Sequence, residues 1–477
     1  MKSIASLCDS LRVRVECGEL NAALYAVHDC VERIISEPLC TGQVFGSIKL
    51  DAICQEIGRR NLQLLNLNMP VRQRNATSFD CVYLVTKLQK SGGHTRILGD
   101  FIQAFPQSGH IILSTELAGR SDRDYALTEL GRESKVRLEY APSGNFHEKL
   151  TWLQGRLIDI APGKTYLFNH HGDSVAVATI QPEMELDAWF YHHADHQLCL
   201  GVYLPHLKHI DPHPMGYYNC RTVLGIDNRF IPLVVRDRGC RQVGDRFMCN
   251  GVLTTCTAAR SNKIEVPYFV SYLDVIPRLL HATGGTHIHI GRLTPWALFK
   301  IRRGLKRVGI PADRFVYIPW AHSVWNVLRE FHVDLYIASF PYGGGLTLIE
   351  AMGAGVPVAL HRHMASRILC SDALAFPGAF SWRYPDELID YCSRLSPGSL
   401  KEQSILGREQ YEKFYKWEIF KEVVADPDKM IAPSNMPASF HAQADEWAYW
   451  MEGQLSWGRL VQRGMYRVAK KVRNWGF

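Results

Sequence analysis

With 477 residues, 47% of them hydrophobic and 21% charged, the chain is too long for one ordinary core and too apolar to stay disordered, which predicts two main domains. A formal net charge of +7 is a mild excess at this length; it suits an anionic small ligand or a membrane surface and excludes the strongly basic signature of a nucleic-acid binder. Thirteen cysteines scattered from Cys8 to Cys392 without a CxxC pair exclude a disulfide framework and predict reduced thiols in a cytoplasmic protein, and the spacing of Cys240, Cys249 and Cys256 is not that of a zinc knuckle.

The opening MKSIASLCDSLRVRVECGEL interrupts every apolar run with charge, so no signal peptide is expected, and no window reaches the length of a membrane span. Residues 1–75 read as a helical extension. Leu11, Cys17, Leu20, Ala23, Leu24 and Val27 recur at three- and four-residue steps, and Ile53, Ile57, Leu62 and Leu65 do much the same. The polar stretch Asn68–Ala76, with Pro70, reads as a linker.

Over residues 76–225 the texture changes. Short β-branched or aromatic runs (Cys81–Thr86, His110–Ser114, Val136–Tyr140, Thr165–Asn169 and Ala188–His192) alternate with helix-length segments. Strands separated in this way predict βαβ units, a parallel sheet, and ligand-facing loops along its C-terminal edge. Around Asp211–Phe247 a stretch rich in Pro, Gly and Arg reads as a connection. A second strand–helix series fills 245–425, with strands at Gly251–Thr257, His287–Ile290, Phe315–Ile318, Leu335–Ser339 and Val356–Leu360. The expected fold class is α/β: two Rossmann-like domains, an N-terminal helical extension and a C-terminal helix. That last helix, within 437–477, carries Trp457, Val461, Met465, Val468 and Val472 as one stripe, with Arg459, Arg463, Arg467, Lys470 and Lys471 on the other faces. Such a helix either lies on an anionic bilayer, as a peripheral contact on the inner face of the membrane, or packs back across the N-terminal half.

The most informative stretch is DLYIASFPYGGGLTLIEAMGAGVPVALH, Asp334–His361. A buried strand, Leu335–Ser339, runs into Gly343, Gly344 and Gly345, and a helix opens at Leu346. Consecutive glycines let backbone approach a ligand closely and present amide donors at a helix N-terminus, where the dipole favours negative charge. A diphosphate fits. Gly343, Thr347 and Glu350 share one face, so the Thr347 hydroxyl is placed to donate to a phosphate and Glu350, a turn deeper, to accept from a ribose diol. The alternative is a tight strand-to-helix turn with Glu350 as a solvated helix residue.

FPYGGGLTLIEAMGAGVPVAL resembles the FPYNGGTTTLEALWMGVPVVT-type segment of O-linked N-acetylglucosamine transferases and their bacterial relatives. The resemblance continues in GIPADRFVYIPW (Gly309–Trp320), in MASRILCSDAL (Met364–Leu374) and in TCTAARSNKIEVPYFVSYLDVI (Thr255–Ile276), in consistent order over roughly Thr255–Leu374. It implies the GT-B fold and a glycosyltransferase using a nucleotide diphosphate sugar, most often UDP-linked, with no obligatory metal. It also carries Lys263 over as the donor-phosphate cation. The chain departs from the pattern in having Gly343–Gly344 where the family has Asn–Gly, and in lacking the repeat-rich N-terminal superhelix. The stretch from Glu350 to Pro357 also fits the broader two-Rossmann transferases. Retaining enzymes of that kind often carry a second Glu eight positions earlier; that place is Tyr342 here, which favours inversion. Arg292, at the end of HIHIGRLT, is a further candidate for the diphosphate and equally a surface residue.

An inverting transfer needs a base near neutral pKa, for which histidine is suited. Three His-bearing segments follow strands of the N-terminal half: Ser91–Arg96, Asn169–Asp173 and Tyr191–His196. His94 ranks first, then His193 with Asp195 as orienter. A metal reading of His192, His193, Asp195 and His196 matches no established ligand spacing, so no metal is expected. The expected partners are thus a nucleotide sugar, as cosubstrate rather than cofactor, and a glycan or protein acceptor. The rivals are a non-catalytic sugar-nucleotide-binding scaffold and an epimerase of the same fold.

Overall fold

The computed structural model describes residues 4–36, 44–68, 79–90, 93–130, 135–241, 246–266, 268–363 and 369–433, apart from single positions within them, together with Gly42, Met465 and Val468. In chain order the elements begin with α1 (Ile4–Glu16), α2 (Leu20–Ile35), α3 (Ile48–Asn68), β1 (Cys81–Val85), α4 (Gly93–Ala104), β2 (His110–Ser114), α5 (Arg123–Leu130) and β3 (Val136–Tyr140). There follow α6 (Phe146–Ile160), β4 (Lys164–Phe168), α7 (Ser174–Thr179), β5 (Ala188–Tyr191), β6 (Lys208–Asp211), α8 (Pro214–Thr222) and β7 (Asn228–Phe230). The second series is β8 (Thr254–Ala258), α9 (Ser261–Ile264), α10 (Tyr272–Thr283), β9 (Thr286–Ile290), α11 (Pro295–Arg307), β10 (Phe315–Ile318), α12 (Val324–Glu330), β11 (Leu335–Ile337), α13 (Gly345–Gly353), β12 (Val358–His361), β13 (Phe380–Trp382), α14 (Pro385–Arg394), α15 (Pro397–Phe414) and α16 (Trp417–Ala425).

Two sheets result, in the orders β3-β2-β1-β4-β5-β6-β7 and β10-β9-β8-β11-β12-β13. The strand pairs β1–β2, β2–β3, β1–β4 and β4–β5 are parallel, as are β8–β9, β9–β10, β8–β11, β11–β12 and β12–β13. The expected α/β class with two Rossmann-like sheets is therefore present. β1 and β2 are buried along their whole length, as strands covered by helices on both faces must be. In the second sheet the chain builds outward from β8 through β9 to β10, then returns to β11 on the other side of β8. The loops leaving β8 and β11 thus flank the point where strand order reverses, the place where open parallel sheets bind ligands.

The chain forms two compact units: the described residues of 1–91 and 106–209 in the first, and of 92–105 and 210–439 in the second. The sequence suggests boundaries near residue 75 and at 225–245. In the structure the helical N-terminal segment belongs to the first unit's body. α3 packs on α7 and α6 so closely that a Cβ at Gly58 would lie 1.9 Å from the Ala178 carbonyl oxygen. The Asp51 carboxylate on α3 accepts the Gly201 and Tyr203 amides (2.7 and 2.9 Å), and Asn61 donates to Gln154 (2.7 Å). α4 counts with the second unit because it packs on α16, with Phe101 edge-on to Phe420.

The core of the second unit runs through α10, α11, β11 and α14, where Tyr272, Ile276, Leu279, Ile301, Leu305, Leu335, Ile337 and Leu388 are buried. No described helix is long and apolar enough to cross a membrane. The predicted linker and C-terminal helix lie outside the described residues, but for Asn68, Met465 and Val468.

Candidate functional site

The glycine run leaves β11 and becomes α13, which starts at Gly345, one residue before the position expected from sequence. Ser339 Oγ donates to the Tyr342 carbonyl (2.8 Å), folding the connecting loop back on itself. Each glycine is hemmed in by a different neighbour. A Cβ at Gly343 would meet Ser371 Oγ at 2.7 Å, one at Gly344 would meet Thr347 Oγ1 at 2.8 Å and Lys263 Nζ at 3.3 Å, and one at Gly345 would meet Leu233 at 2.9 Å and His213 Nε2 at 3.1 Å. Among the described residues no side chain caps the N-terminus of α13. The first amides of a helix have no intrahelical acceptor, and here they carry the positive end of the dipole.

Lys263 lies on α9, in the loop leaving β8. Its Nζ donates to the Gly343 carbonyl at 2.7 Å. Loss of solvation pulls its pKa down to about 8, and among the described residues no carboxylate forms an ion pair with it. A half-buried cation held by one carbonyl beside uncapped amides is an environment that favours an incoming anion. Thr347 gives its proton to the Gly344 carbonyl (3.0 Å) and accepts from Tyr336 (2.9 Å). It therefore tethers the loop in this structure, a use the sequence reading did not foresee.

Glu350 is buried, and each carboxylate oxygen has a donor. Oε1 pairs with Arg96 Nη1 at 2.9 Å, and Oε2 accepts the Trp325 amide at 3.0 Å near the N-terminus of α12. A carboxylate has about four acceptor sites, so these two bonds do not fill its capacity. Arg292 is exposed after β9, and its carbonyl accepts the Ser261 amide (3.0 Å) that opens α9.

His94 is buried in the first turn of α4. A Cβ on its neighbour Gly93 would come 3.0 Å from Leu346 Cδ1, so the start of α4 lies against the start of α13. The second unit thereby brings His94, Lys263, the three glycines, Thr347 and Glu350 into one neighbourhood. His193 and Asp195 belong to the first unit, after β5. Burial pushes the His193 pKa down to about 3, with His170 and His196 adding repulsion, which makes it a weak base at neutral pH. Asp195 stands 3.9 Å from His196 Nδ1.

Arg96, His213, Tyr336 and the Trp325 amide were missed as site residues. Arg96 stands inside the quoted segment Ser91–Arg96, where its charge was the available signal; a backbone amide leaves none.

No family model matches the chain, and no curated protein matches its sequence. Solved structures do. The chain is similar to Anabaena HepE, solved in complex with UDP and glucose (TM-score 0.55, 11% identity, 72% of this chain and 98% of that one). It is similar to the lipopolysaccharide outer core galactosyltransferase WaaB in its apo form (TM-score 0.52, 13% identity, 73% and 98%). It is also similar to a glycosyltransferase from Rickettsia africae (TM-score 0.53, 12% identity, 74% and 100%). At these identities the shared property is architecture: the chain has the GT-B fold, two parallel α/β sheets in sequence.

Proposed function

We propose that this protein is a glycosyltransferase that moves a hexose or N-acetylhexosamine from a nucleotide diphosphate sugar, UDP-linked, to the hydroxyl of an envelope glycan or a protein, with inversion. The observation that carries the reading is the Lys263 ammonium, short of water and without a carboxylate partner among the described residues, set against the uncapped N-terminus of α13. In the transfer the bond from the anomeric carbon to the β-phosphate oxygen breaks and the acceptor oxygen takes its place. Negative charge grows on the departing diphosphate, where Lys263 and the amides at Gly345–Thr347 stabilise it. Glu350 accepts from the ribose through its open lone pairs, and Arg292 assists at the diphosphate. His94, beside the start of α13, takes the acceptor proton. Support for a UDP-sugar comes from HepE, solved with UDP-glucose on the same fold.

The test is donor turnover against a panel of UDP- and GDP-sugars. Slow hydrolysis of one donor, reduced about 100-fold or more in Lys263→Ala, is the expected outcome for a lost transition-state charge contact. Nucleotide binding without turnover of any donor would point to a scaffold, and sugar interconversion without an acceptor to an epimerase.

A further inference from the structure

α11 is a helix of thirteen residues, PWALFKIRRGLKR, with five basic residues and no acidic one. Its inner stripe is Ala297, Ile301 and Leu305, all buried against α10. At about 100° of rotation per residue, the opposite face presents Trp296, Phe299, Arg303, Lys306 and Arg307 within an arc of about 100°. Trp296 is 65% exposed and Phe299 52%, and their rings lie 5.8 Å apart. Lys300, at the flank, pairs with Asp274 on α10 (3.0 Å). Arg302, Arg303, Lys306 and Arg307 are exposed and form no ion pair among the described residues.

Cations in the last turn complement the helix dipole, which accounts for Lys306 and Arg307 in part. It does not account for two large aromatic rings facing water beside Arg303. The helix start is held rigidly: Thr294 caps the Ala297 amide, while Glu265 accepts from both the Thr294 amide and its hydroxyl. The rings are thus presented, not left loose at a fraying end.

We infer that the outer face of α11 docks on an anionic lipid bilayer, lying in the plane of the headgroups. Trp296 and Phe299 seat at the boundary of headgroup and acyl chain. Arg303, Lys306 and Arg307 meet lipid phosphates and keep their aliphatic stems against the apolar layer. Paired aromatic and cationic groups on one helical face match that interface better than an acidic protein, which would call for cationic donors alone and leave Trp296 and Phe299 without a use.

The experiment uses the full chain in co-sedimentation with vesicles of phosphatidylcholine alone or with one third phosphatidylglycerol. The parent should pellet with the anionic vesicles only. Each basic residue near an anionic surface is worth roughly a factor of five, so Arg303→Ala with Lys306→Ala should weaken binding about 10-fold or more. Trp296→Ser with Phe299→Ser should do likewise. Brominated lipid should quench the tryptophan fluorescence, and Trp296→Phe should remove part of that quenching, a readout that separates α11 from any other membrane-seeking segment. Variants that pellet as the parent does, quenching unchanged in Trp296→Phe, equal binding to neutral vesicles, or retention on a polyacidic peptide with no vesicle binding would each overturn the inference. Unchanged melting temperatures certify that the variants are folded.

Discussion

Arg96 Nη1 lies 2.9 Å from Glu350 Oε1, joining residues 254 positions apart in the chain. The other Glu350 oxygen holds the Trp325 amide, so one buried carboxylate fixes both the first turn of α4 and the start of α12 beside the glycine loop. Arg96 is 39% exposed, and water screens much of its attraction. Arg96→Ala should therefore cost only about 1 kcal/mol. Glu350→Ala strips a buried acceptor from two donors and should cost about 2–3 kcal/mol. Urea midpoints of the two variants give the comparison, and the order Glu350 over Arg96 is the expected result.

Lys263 carries a pKa lowered to about 8 by burial. A diphosphate brought beside it favours the charged form, so binding takes up a proton where the free side chain has lost one. Affinity for UDP-glucose should be flat below pH 8 and then fall by about tenfold per pH unit above it. Calorimetric titrations across that range check the slope, and Lys263→Ala should remove it.

Gly344 has an ordinary extended backbone, with φ −131°, so alanine meets no conformational penalty there. Its methyl group would nevertheless crowd Thr347 Oγ1 and Lys263 Nζ. Gly344→Ala should keep the fold within about 1–2 kcal/mol, a typical overpacking cost, while weakening UDP binding at least tenfold. Melting temperature and Kd, measured on the same preparation, separate the two effects.

Tyr272 Oη sits 2.8 Å from His287 Nε2 and 2.7 Å from His289 Nδ1, with Thr255 Oγ1 2.8 Å from His287 Nδ1. One hydroxyl proton cannot serve both rings, so Tyr272 donates to one imidazole, which is neutral, and accepts from an N–H of the other. Burial holds His289 down to about 4 and His287 well below the ordinary imidazole value. Because the folded pKa values are depressed, the unfolded chain takes up protons first; stability is full above pH 6.5 and is lost as pH falls through that value. Between pH 7.5 and 5.5 each of these rings should cost about 1.4 kcal/mol. Tyr272→Phe should cost a further 1–3 kcal/mol, or about one unsatisfied buried polar group, at either pH. Denaturant midpoints at both pH values give the test.

The strand series was legible because buried parallel strands write themselves as unbroken apolar runs: Leu335–Ser339 and Cys81–Thr86 both contain strands, trimmed at their ends. The glycine turn was legible because three glycines in a row have few other uses. What the sequence hid is whatever depends on distant chain meeting in space. Nothing local announces that the Asp51 carboxylate takes the Gly201 and Tyr203 amides, or that Glu350 takes a backbone amide from Trp325. Thr347 lies in α13 while Gly343 precedes the helix, and the Thr347 hydroxyl proton goes to Gly344, because the loop carbonyl lies nearer than any periodicity can show. Nor does the sequence announce the outer face of α11, since exposure of Trp296 and Phe299 is a property of packing rather than of spacing.

The most direct measurement is an isothermal titration of the full chain with UDP, run beside Lys263→Ala. Saturable one-to-one binding is expected in the parent. Removing one charge-assisted contact, worth about 2–3 kcal/mol, should weaken it roughly 30- to 150-fold in the variant. No heat and no binding in the parent at saturating nucleotide, or equal affinity in both proteins, would contradict a pyrophosphate site built from Lys263 and the N-terminus of α13.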